Sequence, residues 1–388
     1  MKIDHAINID DIRKLAQRTL PRFAFDFIEG GAEDELGLER NRAAFDRHAL
    51  LPRYLIDVET IDQSVELFGR TYASPFGIAP TGIAGLFRPG ADIMLAEAAR
   101  AANIPFVLSG SGTASIEAAA KAAPEHTWFQ LYGSKAWTYS EDMIRRAEGA
   151  GISTLVLTVD VPVSSLRERN FRNGFKRPLR LSPRMVFDAL THPGWTTRYL
   201  LSGGLPKMDV WTKYARDGAS ADEVADVMAT QTPASGQTWE TFARIRAMWP
   251  RTLLVKGILH PDDALRAMKA GADGLIVSNH GARQLDRAPA PLEVLPAIRR
   301  MTSDRLPLIF DSGIRRGSDI LIALCLGAKA VMFGRPTLYG AAAAGRPGID
   351  KAIHIMRQEV TVNMKQLGCP RLADLGPDFL WPRPGNGA

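Results

Sequence analysis

The sequence predicts a (β/α)8 barrel, and three observations carry that expectation. Short apolar runs recur at a nearly constant spacing, helix-length amphipathic segments separate them, and polar or glycine residues follow each run. The chain has 388 residues, 46% hydrophobic and 23% charged, the mix of an ordinary globular protein. A single barrel of 250 residues or more accommodates most of that length.

The runs begin at Phe76, Ile104, Thr127, Thr154, Thr252, Gly274, Leu306 and Ala330, at intervals of 28, 23, 27, 98, 22, 32 and 24 residues. Four or five large apolar residues without alternation suit strands covered on both faces. Between them the pattern predicts helices over residues 91–102, 139–149, 239–248, 261–271, 291–301 and 318–327. Pro261-Asp262-Asp263 is a favourable helix start, and Gly149, Gly271 and Gly327 stand where a helix would stop before the next strand. Eight strand–helix units of about 25 residues spell a barrel, whereas a doubly wound sheet rarely needs eight equal units.

Two segments break the period. Residues 1–75 precede the first strand and read as a helical lead-in. The interval of 98 exceeds a normal unit, so about 170–235 is an insertion after strand four. The expectation is therefore one domain, with barrel residues 76–170 and 236–388. Residues 165–215 hold ten Lys/Arg (Arg167, Arg169, Arg172, Lys176, Arg177, Arg180, Arg184, Arg198, Lys207 and Lys213) against Glu168, Asp188 and Asp209, a local charge of +7 in a chain of net charge +6. The remainder is nearly neutral, which argues against a nucleic-acid surface. Phe171, Phe175, Phe187, Trp195, Tyr199, Trp211 and Tyr214 interleave these cations. Such a segment reads equally as a monotopic membrane contact and as a solvated lid over the active-site face. No run approaches 18 apolar residues, and the charged N-terminus does not read as a signal peptide. Two cysteines, Cys325 and Cys369, fit a reducing cytosol.

Barrel chemistry sits at the C-terminal strand ends. Those ends carry Pro80-Thr81-Gly82, Ser109, Gln130 with Tyr132, Thr158 with Asp160, Lys256, Ser278 with His280, Asp311, and Gly334-Arg335. A lone histidine there is more often structural, but eight polar tips together point to a site. Ser109, Gln130, Thr158 and Lys256 suit the edge of a planar heterocycle. Asp311-Ser312-Gly313-Ile314-Arg315 and Gly334-Arg335 stand where barrels hold phosphate. Ring plus phosphate implies a mononucleotide-sized cofactor. Gly110-Ser111-Gly112 does not continue as a dinucleotide fingerprint, and no H-E-x-x-H or Cys/His cluster suggests a metal. His280 is a candidate general base, Asp160 its orienting partner, and Arg167 and Arg283 a bidentate carboxylate clamp, with Tyr132 adding a hydroxyl. That combination describes oxidation of a 2-hydroxy acid.

The motifs SNHGARQLD at 278–286, LTVDVP at 157–162, LLVKG at 253–257 and DSGIRRG at 311–317 are specific. Through them, and over nearly its whole length, the chain resembles the FMN-dependent 2-hydroxy acid dehydrogenase/oxidase family. The resemblance implies His280 as base, Asp160 as its partner, and Tyr132, Arg167 and Arg283 as substrate ligands. It implies FMN held by Pro80, Thr81, Gly82, Ser109, Gln130, Thr158, Lys256, Ser278, Asp311, Ser312, Gly313, Ile314, Arg315, Gly334 and Arg335. It also implies a four-fold assembly.

Within the family, Gly82 favours a dehydrogenase over an oxygen-using oxidase, and the small Ser111 leaves room for a bulky or aromatic side chain. The insertion looks like the membrane-binding segment of mandelate dehydrogenases, which shifts the balance towards a membrane contact. The expected activity is therefore that of a mandelate dehydrogenase-like enzyme on the inner face of the cell membrane, passing electrons to a membrane quinone. The alternative is an L-lactate dehydrogenase or an oxygen-using oxidase. Phe27 departs from the family's tyrosine at this position, whose hydroxyl binds the substrate carboxylate.

Overall fold

A computed structural model describes residues 1–175 and 182–381. Lys176, Arg177 and Arg180 of the basic insertion lie outside the described residues. Eight parallel strands close into a barrel: β1 (Phe76–Ile78), β2 (Phe106–Leu108), β3 (Thr127–Tyr132), β4 (Thr154–Thr158), β5 (Thr252–Ile258), β6 (Gly274–Val277), β7 (Leu308–Asp311) and β8 (Ala330–Phe333). They pair in chain order, and β8 closes on β1 through Val331–Phe76, Met332–Gly77 and Phe333–Ile78.

The continuous apolar runs are explained by two cores that share each strand. Val107, Trp128, Val156, Leu254, Ile276, Ile309 and Met332 fill the barrel interior. Their chain neighbours, such as Leu155 and Leu157 on β4 and Leu253 and Val255 on β5, pack outward against the helices. Both faces of each strand are thus buried, and alternation disappears from the sequence. A short hairpin, Val65–Leu67 with Arg70–Tyr72, closes the N-terminal end, placing Val65, Leu67 and Tyr72 in the interior cluster. The lead-in, expected to be helical, carries this hairpin as well as the helices Ile9–Thr19, Arg22–Glu29 and Leu36–Ala43.

The expected helices form with small shifts at their ends, as in Ala91–Ala102, Trp137–Gly149, Pro261–Lys269, Pro291–Thr302 and Gly317–Cys325. Pro261 opens its helix, and Gly271 and Gly327 follow theirs in the left-handed region. Three barrel helices were missed: Ile116–Ala122, capped by Ser115 and too short for a periodic signal, and Arg335–Ala344 and Arg346–Leu367, which follow β8.

The insertion is helical where described, with segments Pro183–Leu190, Pro193–Leu201, Asp209–Thr212 and Ala221–Gln231. Its aromatic residues divide into two groups, which corrects their collective reading as interface anchors. Phe175, Trp195, Tyr199 and Trp211 are buried. Trp195 Nε1 donates to the Leu86 carbonyl at 3.0 Å, Trp211 Nε1 to that of Gly110 at 2.8 Å, and the Tyr199 hydroxyl to that of Gly85. Rings with a polar edge here fasten the insertion to the loops after β1 and β2. Phe187 remains exposed with Val186, Leu190, Leu200 and Leu201. No helix among the described residues is long and apolar enough to cross a membrane.

Candidate active site

The strand ends, the lead-in helix Arg22–Glu29 and the insertion enclose a cavity of about 590 Å³ at the C-terminal rim, within the usual range for a cofactor or substrate pocket. Pro80, Thr81, Gly82, Ser111, Tyr132, Thr158, Arg167, Lys256, His280 and Arg283 line it, with Asp311 to Arg315, Gly334 and Arg335 at one end. Asp160, Ser109, Gln130 and Ser278 stand behind the wall, each bonded to residues near or in it.

His280 follows β6 in a turn in which three successive residues, His280, Gly281 and Ala282, have φ of 59°, 63° and 60°. The turn is held by the Ser278 hydroxyl, which accepts from the His280 amide at 3.0 Å. The imidazole Nδ1 lies 2.9 Å from Asp160 Oδ1. Gly257 (φ +104°) permits this approach, because a Cβ there would come within 2.6 Å of the Asp160 side chain. Burial pushes the Asp160 carboxyl up, but His280 and Lys256 outweigh it and hold the group below the usual carboxylate range. Burial lowers the His280 pKa; Asp160 opposes this, Lys256 and Arg167 reinforce it, and the net shift is downward. At neutral pH the pair is therefore a neutral imidazole beside a carboxylate. The bond to Asp160 fixes the proton on Nδ1 and leaves Nε2 as the basic nitrogen. The Tyr132 ring lies 6.5 Å from the imidazole, centroid to centroid.

Two guanidinium groups flank the dyad. Arg167 Nε donates to Ser165 Oγ at 3.0 Å and to the Arg283 carbonyl at 3.2 Å, and its Nη2 donates to Gln284 Oε1 at 3.1 Å. Arg283 Nη1 donates to the carbonyls of Phe27 and Gly30 at 2.7 and 2.8 Å. Its guanidinium lies 4.8 Å from the centre of the Phe27 ring, which in turn packs 4.6 Å from Phe175. Phe27 thus meets the clamp through its ring face, as an apolar wall.

The remaining groups form a polar bed. Gln130 Nε2 donates to the Thr158 hydroxyl at 2.8 Å, and its Oε1 accepts from Ser109 Oγ and the Gly110 amide. Lys256 Nζ donates to Ser278 Oγ at 2.9 Å and lies 3.4 Å from Asp311. Burial lowers the Lys256 pKa, but Asp311 and Asp160 raise it further, so the ammonium stays charged. At the far end Arg335 is half-buried, and its hydrogen bonds run to the carbonyls of Ile28, Glu29, Gly30 and Gly281. Burial and the neighbouring Arg315 lower its pKa, against Tyr339, Glu29 and Glu35, which raise it. Ser312 and Gly313 adopt φ of 90° and 94° there. A Cβ on Gly334 would come within 2.8 Å of Thr81, so that wall accepts only glycine without a shift. A flat polar bed with a buried ammonium, ending in two arginines on glycine-rich loops, fits a flavin mononucleotide in shape and charge.

Sequence reasoning missed the insertion's share of the cavity, in which Leu205, Pro206, Met208 and Met228 form an apolar wall. It also missed Gln284, although that residue stands inside a motif singled out for its neighbours.

A family model described as FMN-dependent dehydrogenase matches residues 16–382. The (S)-mandelate dehydrogenase of Pseudomonas putida is 42% identical over 96% of this chain and 93% of its own. A putative L-lactate dehydrogenase of Mycobacterium tuberculosis is 39% identical over 97% and 89%. The crystal structure of the monotopic membrane protein (S)-mandelate dehydrogenase superposes with a TM-score of 0.93 at 41% identity, covering 98% of this chain and all of that one. A mandelate oxidase structure superposes with a TM-score of 0.81 at 34% identity, covering 97% and 98%.

Proposed function

The chain belongs to the FMN-dependent dehydrogenase family, and from that premise we propose that it oxidises an (S)-2-hydroxy acid with a bulky, aromatic side chain to the 2-oxo acid. The observation that carries this reading is the His280–Asp160 pair beside a cavity that Arg167 and Arg283 also line. FMN, when bound, supplies the two-electron acceptor. Gln130, Thr158, Ser109, Lys256 and Ser278, with Pro80 to Gly82, would hold its ring, and Asp311 to Arg315 with Gly334 and Arg335 would hold its phosphate.

Arg167 and Arg283 hold the substrate carboxylate, and Tyr132 orients the hydroxyl. Nε2 of His280 takes a proton from the substrate, and Asp160 stabilises the imidazolium that results. Lys256, held charged by Asp311 and Asp160, would stabilise negative charge on the bound cofactor. The small Ser111 and the wall of Leu205, Pro206, Met208 and Met228 take the side chain, which favours an aromatic substrate over lactate or glycolate. Gly82 favours a dehydrogenase over an oxidase.

The electron acceptor in this reading is a membrane quinone. Val186, Phe187, Leu190, Leu200 and Leu201 are exposed on adjacent helices of the insertion, with Arg184 beside them. Such a face rests in the interfacial layer of a bilayer without crossing it. The protein then works as a peripheral enzyme on the cytoplasmic face, as four copies. Turnover of (S)-mandelate, (S)-lactate and glycolate, each under air and with a soluble quinone analogue, tests the reading. Mandelate with quinone should be the fastest pair. Preference for lactate or for oxygen would replace it with the lactate dehydrogenase or oxidase reading.

A further inference from the structure

The side-chain amide of Gln284 joins the two halves of the candidate site. Its Oε1 accepts from Arg167 Nη2 at 3.1 Å, and its Nε2 donates to the Asp160 carbonyl at 3.1 Å. The residue stands on the loop after β6, four positions beyond His280, while both of its partners stand on the segment after β4. It is half-buried and lines the cavity. The Arg283 carbonyl and Ser165 Oγ hold the Nε of Arg167, and Gln284 holds the guanidinium plane at its Nη2 edge. A planar fork recognises a carboxylate only in one orientation.

We propose that Gln284 is a positioning residue: its amide aims Arg167 at the substrate carboxylate and ties that aim to the backbone of Asp160, so that clamp and base move as one unit. The inference rests on the function proposed above. Neutrality matters as much as reach. A carboxylate at this position would accept from the same Nη2 but pair with the guanidinium, competing with the substrate for its charge. It would also place negative charge beside the dyad and hold the imidazolium more tightly.

The test compares Gln284→Met, of similar length but unable to make either bond, with Gln284→Glu, which keeps one acceptor and adds a charge. In the holoenzyme, Gln284→Met is expected to raise KM for the 2-hydroxy acid about tenfold, the scale of one hydrogen bond to a charged group, with a smaller fall in kcat. Gln284→Glu is expected to raise KM further and to move the acid limb of the kcat/KM profile to higher pH. The affinity for phenylacetate, a carboxylate without the hydroxyl, is read from perturbation of the flavin spectrum and should fall in the same order without turnover. FMN content should match the wild type. A KM and a phenylacetate affinity within about twofold of wild type in both variants would overturn the proposal. So would a Gln284→Glu enzyme that binds carboxylates better than Gln284→Met, the order a merely structural role gives. If the wild-type flavin is reduced by no 2-hydroxy acid, it is the function that fails, and phenylacetate binding alone then decides the role of Gln284.

Discussion

Replacing Asp160 with asparagine removes a charge while leaving an acceptor for His280 Nδ1, so it isolates the electrostatic part of the dyad. The two groups are 2.9 Å apart, with side chains only 11% and 18% exposed. A unit-charge pair at about 4 Å is worth about 1 kcal/mol at the dielectric of water and about 4 kcal/mol at an effective dielectric of 20. The partial burial here puts the loss at roughly 2–4 kcal/mol. Because the imidazolium forms during the reaction, the loss falls on the barrier, and the flavin reduction rate should drop about 30- to 1,000-fold. The pH dependence has a definite sign. Asp160 raises the His280 pKa against the lowering by burial, so its removal moves the acid limb of kcat/KM to lower pH. Anaerobic stopped-flow reduction of the Asp160→Asn flavin, across pH, reads both effects. A rate within threefold of wild type, or an acid limb displaced to higher pH, would refute the argument.

Other expectations follow from named contacts. Phe27→Tyr adds a hydroxyl beside the Arg283 clamp and should lower KM for a simple 2-hydroxy acid about tenfold, the worth of one bond to a charged group; steady-state kinetics showing no change would mean the hydroxyl does not reach the carboxylate. Lys256→Met leaves the buried Asp311 without its cation and should cost about 3–5 kcal/mol of stability, read by chemical denaturation of the apoprotein. At the opposite end of the barrel, burial and then Arg70 lower the His126 pKa, against the Pro124 carbonyl. The folded state therefore binds this proton more weakly than the unfolded chain does. The stability that neutral His126 supports is full above the unfolded pKa of about 6.5 and is lost as pH falls below it. His126→Gln should flatten the fall in Tm between pH 7 and pH 5, and an unchanged slope would assign that fall to other groups. Phe187→Ser combined with Leu201→Ser should release the protein from membranes into the soluble fraction with turnover of a water-soluble acceptor intact; retention on membranes would move the contact elsewhere.

The barrel was legible because its strands are buried on both faces, which writes unbroken apolar runs such as Thr154–Thr158 into the sequence. The strand-tip residues were legible because polar groups at the ends of such runs have no role in a core. Composition could not divide the aromatic residues of the insertion, because Trp195 and Phe187 look alike until their neighbours are known. One donates its N–H to the Leu86 carbonyl, while the other faces outward. Gln284 escaped notice for a related reason: a glutamine carries no chemistry of its own, and its partners stand over 100 residues away in the chain. The helix Ile116–Ala122 and the hairpin Val65–Leu67/Arg70–Tyr72 are too short to build a periodic signal.

The central claim is that His280 takes a proton from a 2-hydroxy acid held in this cavity. Anaerobic mixing of the FMN-loaded protein with (S)-mandelate, wild type beside His280→Asn, tests it most directly. The account expects fast bleaching of the wild-type flavin and essentially none in the variant, with FMN still bound in both. Comparable bleaching in both, or none in the wild type, would contradict it.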